Sequence, residues 1–92
     1  HGVSHMLGLD VHDCAYAKRD VYMGPLAAGM VLTVEPGLYI QPDDEKFPAE
    51  YRGIGIRIED DVVITETGCR NLSENLPRHP DEIEAWMARI CN

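Results

Sequence analysis

The sequence predicts an α+β fold in which an antiparallel sheet is followed by a C-terminal helix. Three observations carry this. Residues Met30 to Ile40 form an apolar run rich in β-branched and aromatic side chains. Gly53 to Glu59 alternates, with Ile54, Ile56 and Ile58 on one face and Gly55, Arg57 and Glu59 on the other. From Pro80 the period becomes helical, and Ile83, Trp86, Met87 and Ile90 line up as an apolar stripe.

Taken in order, residues 1 to 13 are rich in His, Gly and Asp, with Met6, Leu7, Leu9 and Val11 between them. Ala15 to Pro25 carries mixed charge and reads as a surface loop. Met30 to Ile40 is expected to be a buried strand broken at Pro36, which has no N–H to donate. Gln41 to Arg52 holds Pro42, Asp43, Asp44 and Pro48 and reads as a loop. Asp60-Asp61 is expected to be a turn or bulge, Val62 to Thr65 a strand, and Glu66-Thr67-Gly68 a turn. Pro80 suits the first turn of the tail helix, Asp81 and Glu82 lie at its positive end, and Trp86 is expected to pack. One helix on a small sheet leaves a sheet face open, so the apolar runs imply cover from outside the chain.

Length and charge narrow the function. At 92 residues the chain makes one small domain at most. A hydrophobic fraction of 45% argues against wholesale disorder. With 16 acidic side chains against 8 basic ones, nucleic acid and anionic membrane surfaces are disfavoured as partners. Small molecules, peptides and divalent cations remain. No apolar run reaches the ~18 residues of a membrane span. The start shows no basic region followed by an apolar one, so no signal peptide is read. It has no initiator Met either, and the chain is expected to be processed or cut from a longer one. Cys14, Cys69 and Cys91 are odd in number and scattered, with no Cys-x-x-Cys pair. That excludes a disulfide scaffold and a structural zinc site, and the expected location is cytoplasmic.

Several residues look chemical. Glu35 stands within a greasy strand and Glu59 ends the alternating one. A carboxylate so placed costs several kcal/mol unless it is paired or bound to a cation. Glu35 is therefore a functional group, an edge-strand residue facing water, or the partner of an arginine. Glu59 is functional or part of a solvated turn with Asp60 and Asp61. His1, His5 and His12 cluster within the first dozen residues, which suits a divalent metal or acid–base work, or is simply polar. Their spacing matches no common zinc pattern. His79 precedes Pro80 and reads as a helix-start residue. Arg57 shares a face with Glu59 and either orients a substrate carbonyl or neutralises acid charge. No Gly-rich phosphate loop and no Gly-x-Ser-x-Gly elbow is present.

Three motifs in order resemble a known family: His1-Gly2-Val3-Ser4-His5 with Leu7-Gly8-Leu9-Asp10-Val11-His12-Asp13, then Gly29-Met30-Val31-Leu32-Thr33-Val34-Glu35-Pro36-Gly37-Leu38-Tyr39, then Gly53-Ile54-Gly55-Ile56-Arg57-Ile58-Glu59-Asp60-Asp61. They are similar to the pita-bread metallopeptidases, and within them to the Xaa-Pro aminopeptidases (aminopeptidase P), over essentially the whole chain. The resemblance implies a fold of two pseudo-symmetric halves around a dinuclear metal site, with hydrolysis of an N-terminal Xaa-Pro bond by a metal-bridging hydroxide. It implies that His5, Glu35 and Glu59 are metal ligands, with Glu59 bridging two ions. Glu35 would also handle the proton of the attacking water. His1 and His12 would line the substrate site, with His12 steadying the scissile carbonyl, and Arg57 would stand beside it. Tyr39 would have a supporting role.

The family's two aspartate ligands come from upstream strands, and Asp10, Asp13, Asp60 and Asp61 are not at ligand positions. Residues 1–92 would then be the C-terminal portion of a catalytic domain, an incomplete domain inactive by itself and lacking its N-terminal half. The implied ions are Mn(II) before Co(II) or Zn(II). The implied partners are peptides with proline second, the missing half-domain, and other copies in a homo-oligomeric parent. The short Gln41–Arg52 loop favours aminopeptidase P over prolidase. Retention of His5, Glu35 and Glu59 argues against a non-catalytic peptide-binding module.

Overall fold

A computed structural model describes residues 2–13 and 25–91. His1, Cys14 and the loop expected at Ala15 to Pro25, up to residue 24, lie outside the described residues. The described residues form five strands in two sheets and one helix: β1 Val31–Val34, β2 Gly37–Tyr39, β3 Gly55–Arg57, β4 Asp60–Ile64, β5 Cys69–Asn71 and α1 Pro80–Ile90. The larger sheet runs β1-β4-β5 and the smaller pairs β2 with β3, all antiparallel. The α+β class and the C-terminal helix are as expected.

The two sheets share one register. Val31 pairs with Val63 and Val34 with Asp60 in the first ladder; Gly37 pairs with Arg57 and Tyr39 with Gly55 in the second. Carried through the gap, that register sets Glu35 opposite Glu59 and Pro36 opposite Ile58. Pro36 cannot donate, so the ladder lapses there, although its carbonyl still accepts from Ile58 N at 3.3 Å. At the far end, Ile40 N donates to Ile54 O and Gly53 N to Ile40 O, both at 2.9 Å. Gly53 takes φ +81 there, a left-handed turn that suits glycine.

An extended stretch from Val3 to Leu7 lies antiparallel along the free edge of β1. Leu7 N donates to Val31 O at 3.0 Å, Thr33 N to His5 O at 2.9 Å and Glu35 N to Val3 O at 2.8 Å. The histidine-rich segment is thereby brought beside the glutamate-bearing strands.

Five expectations differ from the structure. Asp60 and Asp61 are not a turn: both belong to β4 and pair with Val34 and Thr33. The alternating strand is shorter than Gly53 to Glu59, because the gap opposite Pro36 ends β3 at Arg57. β5 was not anticipated; Cys69-Arg70-Asn71 is short and polar and follows a tight turn. The Met30 to Ile40 run is not uniformly buried, since every residue of β2 is exposed. The helix also stands away from the strands. Ile83, Trp86, Met87 and Ile90 remain 36% to 59% exposed, so Trp86 does not fill a core among the described residues. Thr33, at 2% exposure, and Glu35, at 8%, are the buried residues among those described, and both are polar.

Candidate metal centre

The site is built outward from Thr33, in the middle of β1 with a neighbour on each side. Its N–H donates to His5 O, its Oγ1 accepts from His5 N at 3.1 Å, and its carbonyl accepts from Ser4 Oγ at 2.6 Å. These bonds fix the backbone at Ser4 and His5. The His5 ring is then oriented from behind: Nδ1 lies 3.0 Å from Met6 O. With the proton on Nδ1 donated to that carbonyl, the Nε2 lone pair points into the site. Nε2 lies 3.4 Å from Glu35 Oε2.

Glu35 is two residues beyond Thr33 on the same strand face. Glu59 comes from across the ladder, and its carboxylate lies within 4.8 Å of the Glu35 carboxylate. His5, Glu35 and Glu59 each offer one ligand atom, all within 4.8 Å of one another. The water-facing alternative for Glu35 does not fit this placement, because an edge glutamate facing water would not be 8% exposed beside an imidazole.

Electrostatics report the crowding. The Glu59 carboxyl is held above the ordinary carboxylate range, first by loss of water around it, then by the Glu35 charge and the hydrogen bond to Glu35, with Asp61 adding to the effect and Arg57 opposing it. Two carboxylates close enough to share a proton form a place where a divalent cation replaces that proton. One imidazole nitrogen and two carboxylates are a donor set that suits Mn, Fe, Co or Zn in the divalent state. The residues present therefore fit part of a metal site.

Arg57 lies on the same face. Its Nε donates to the Tyr39 hydroxyl at 2.8 Å, and its guanidinium stands 5.9 Å from the Tyr39 ring centroid. The arginine pKa is raised, first by that hydrogen bond and further by the charges of Tyr39, Glu35 and Glu59. Tyr39 reaches Arg57 by lying over two glycines. A Cβ on Gly37 would sit 2.6 Å from Tyr39 Cε2, and one on Gly55 2.7 Å from Tyr39 Cδ1. His12 also joins the group, its ring edge-on to His5 at 4.4 Å between centroids and 76° between planes. His1 lies outside the described residues. His79 is the N-cap of α1 and accepts from Asp81 N at 3.4 Å, the helix-start role expected of it.

Two contributors were not singled out from sequence. Thr33 precedes Glu35 by two and Asp61 follows Glu59 by two, so both share the face of the glutamates. Strand alternation is the signal that finds them. Asp61 also leaves Oδ1 buried without a hydrogen-bond partner, an oxygen that calls for a donor or a cation.

The model of metallopeptidase family M24 matches residues 1–66. The chain belongs to metallopeptidase family M24. Among M24 relatives, Xaa-Pro aminopeptidase 1 of Streptomyces coelicolor is 63% identical over 91 residues, covering 98% of this chain and 18% of the relative. The structure of aminopeptidase P from Escherichia coli with the inhibitor Pro-Leu superposes with a TM-score of 0.84 at 61% identity, over 97% of this chain and 20% of that one. Proline aminopeptidase P II from Yersinia pestis gives a TM-score of 0.83 at 58% identity, with 97% of this chain covered. The fold is that of the corresponding part of a pita-bread M24 enzyme. The chain spans about a fifth of the length of the relatives it matches.

Proposed function

We propose that residues 1–92 are the C-terminal portion of the catalytic domain of a dinuclear-metal aminopeptidase that hydrolyses the N-terminal Xaa-Pro bond of peptides. The observation that carries this is the convergence of His5, Glu35 and Glu59 within 4.8 Å, in a chain 61% identical to a solved aminopeptidase P over 97% of its length. In this proposal His5, Glu35 and Glu59 would hold the metal, with Glu59 shared between the two ions by family resemblance, and Mn(II) is favoured over Co(II) and Zn(II). The remaining ligands, two aspartates by family resemblance, come from outside these residues.

When bound, such an ion pair supplies Lewis acidity and lowers the pKa of water. The chain's own groups divide the other tasks. Glu35 takes the proton of the attacking water and passes it to the proline nitrogen, which leaves as a secondary amine. His12, edge-on to His5, donates a hydrogen bond to the scissile carbonyl as negative charge develops on its oxygen. Arg57, fixed by Tyr39, holds positive charge on the face that carries Glu35 and Glu59. His1 belongs to the same substrate wall in this proposal. A cytoplasmic location is proposed from cysteine usage, Cys69 and Cys91 being free and exposed. Assembly of the parent into a homo-oligomer is proposed from the resemblance alone.

The test is Mn(II)-dependent release of the first residue from an Xaa-Pro-Pro peptide, by the 92-residue chain and by a longer polypeptide that carries it. Activity in the longer form, abolished by Glu59→Gln and absent from the short form, is the expected result. No activity in a folded, Mn-loaded longer form overturns the proposal.

A further inference from the structure

We propose that Arg78 is a positioning residue for the metal centre, acting through Asp60 to hold Glu59 against Glu35. This rests on Glu59 being a metal ligand, as proposed above. Glu59 occupies the gap between two ladders, since β3 ends at Arg57 and β4 begins at Asp60. A residue in such a gap takes its position from its neighbours rather than from its own strand pairing. Asp60 is the first paired residue after it, and it is held from two sides.

On one side Asp60 pairs with Val34 of β1. On the other, Arg78 Nη2 donates to Asp60 Oδ1 at 2.8 Å and to Ser73 O at 3.1 Å. Ser73 Oγ accepts from Asp61 N at 2.9 Å, and Leu72 N donates to Asp61 O at 2.8 Å. The segment from Leu72 to Arg78 is thereby stitched to the two residues that follow Glu59. With this strap in place, Asp60 and Asp61 cannot shift along or away from β1, and the carboxylate one residue earlier is aimed with them.

Charge places the same demand on Arg78. Glu59, Asp60 and Asp61 are three consecutive carboxylates, and Glu35 faces the first of them. Arg57 is engaged with the Tyr39 hydroxyl. Arg78 neutralises Asp60 through the 2.8 Å ion pair. Arg78 and Glu59 both line a shallow cleft of about 180 Å³, with Asp60, Leu76 and Pro77. Arg78 is not one of the three grouped ligand residues and acts on them through Asp60. Both of its bonds come from one nitrogen, so a lysine, with three donors on one nitrogen, can serve both acceptors.

The experiment titrates Mn(II) by calorimetry into a longer polypeptide carrying this chain, comparing Arg78→Ala, Arg78→Lys, Asp60→Asn, the Arg78→Ala/Asp60→Asn pair and Glu59→Gln. The expected result is about tenfold weaker Mn(II) binding for Arg78→Ala, recovery in Arg78→Lys, and no further loss when Asp60→Asn is added to Arg78→Ala. A purely structural role would lower the unfolding temperature of the metal-free protein and leave the affinity of the folded fraction unchanged. Unchanged affinity in Arg78→Ala, or independent additive losses in the pair, overturns the inference. If Arg78→Ala does not fold, Arg78→Gln provides the same comparison. Unchanged binding in Glu59→Gln removes Glu59 as a ligand and the role of Arg78 with it. A loss in Glu59→Gln without one in Arg78→Ala removes the role of Arg78 alone.

Discussion

Tyr39 lies across Gly37 and Gly55, and its hydroxyl accepts a hydrogen bond from Arg57 Nε at 2.8 Å. The four residues are two cross-strand pairs on one face of the ladder, Gly37 with Arg57 and Tyr39 with Gly55, separated by the Leu38–Ile56 pair. Each pair contributes a glycine as floor, and the tyrosine spans diagonally to the arginine. Arg57 is held in place by a neighbour rather than by burial.

Substitutions in this arrangement separate stability from function. Ala normally improves on Gly in a strand, but a Cβ on Gly55 meets Tyr39 Cδ1 at 2.7 Å. Gly55→Ala is therefore expected to destabilise by about 1 kcal/mol or more through overpacking, read from urea denaturation. Tyr39→Phe keeps the ring and removes the hydroxyl. In the longer polypeptide that carries this chain, it is expected to leave the unfolding midpoint and Mn(II) affinity unchanged while lowering kcat/KM.

The buried threonine is expected to matter for the metal through His5. Thr33→Val preserves shape but removes the acceptor of the His5 N–H at 3.1 Å. The expected cost is about 1–3 kcal/mol for the N–H left without a partner. Metal affinity should fall about tenfold or more, as for other groups that orient a ligand. Calorimetric metal titration beside chemical denaturation measures both in one preparation.

The Glu59–Glu35 contact predicts a pH dependence of definite sign. Glu59 keeps its proton to higher pH in the folded chain than the ordinary carboxylate value of 4.5. From that value up to the raised one, the folded state binds more protons than the unfolded state. Metal-free stability should fall as pH rises through that window. A divalent ion needs both carboxylates ionised, so its affinity should rise across the same window and binding should expel a proton. Unfolding midpoints in chelator and in Mn(II) will therefore diverge with pH, and Glu59→Gln should flatten the chelator series.

His12 and His5 touch but are expected to behave differently. His5→Ala removes a ligand atom and should abolish binding of at least one ion. In the longer polypeptide, His12→Ala should leave metal stoichiometry intact and lower kcat about a hundredfold, as loss of a donor to a developing oxyanion does. Equal loss of metal in both variants would make His12 a ligand instead.

Much of this site was legible in the sequence because chemistry and alternation coincide. Glu35 stood out as a carboxylate among Val34, Leu32 and Leu38, and Glu59 as the polar end of an isoleucine-alternating strand. What the sequence hid was pairing. Asp60 and Asp61 look like a turn because consecutive acids favour turns, yet Val34 and Thr33 hold them in a ladder. The polar strand Cys69–Asn71 carries no alternating apolar signal and exists because β4 offers it an edge. The apolar stripe of α1 predicted a helix, and among the described residues the stripe stays exposed, since periodicity gives a face but not what meets it. The Val3–Leu7 edge, which delivers His5, is set by hydrogen bonds to β1 that no local pattern announces.

The closing pair of bonds between Ile40 and the Gly53-Ile54 dipeptide bears on how this part of the molecule can evolve. It seals the ladder before the Gln41–Arg52 excursion begins, so residues gained or lost there change the outline of the protein without sliding one glutamate past the other. An insertion of a single residue between Glu35 and Ile40, or between Ile54 and Glu59, has no such freedom. It would turn one carboxylate to the opposite side of the sheet. Length variation among relatives should therefore be confined to the excursion, with the two arms that bound it constant in length.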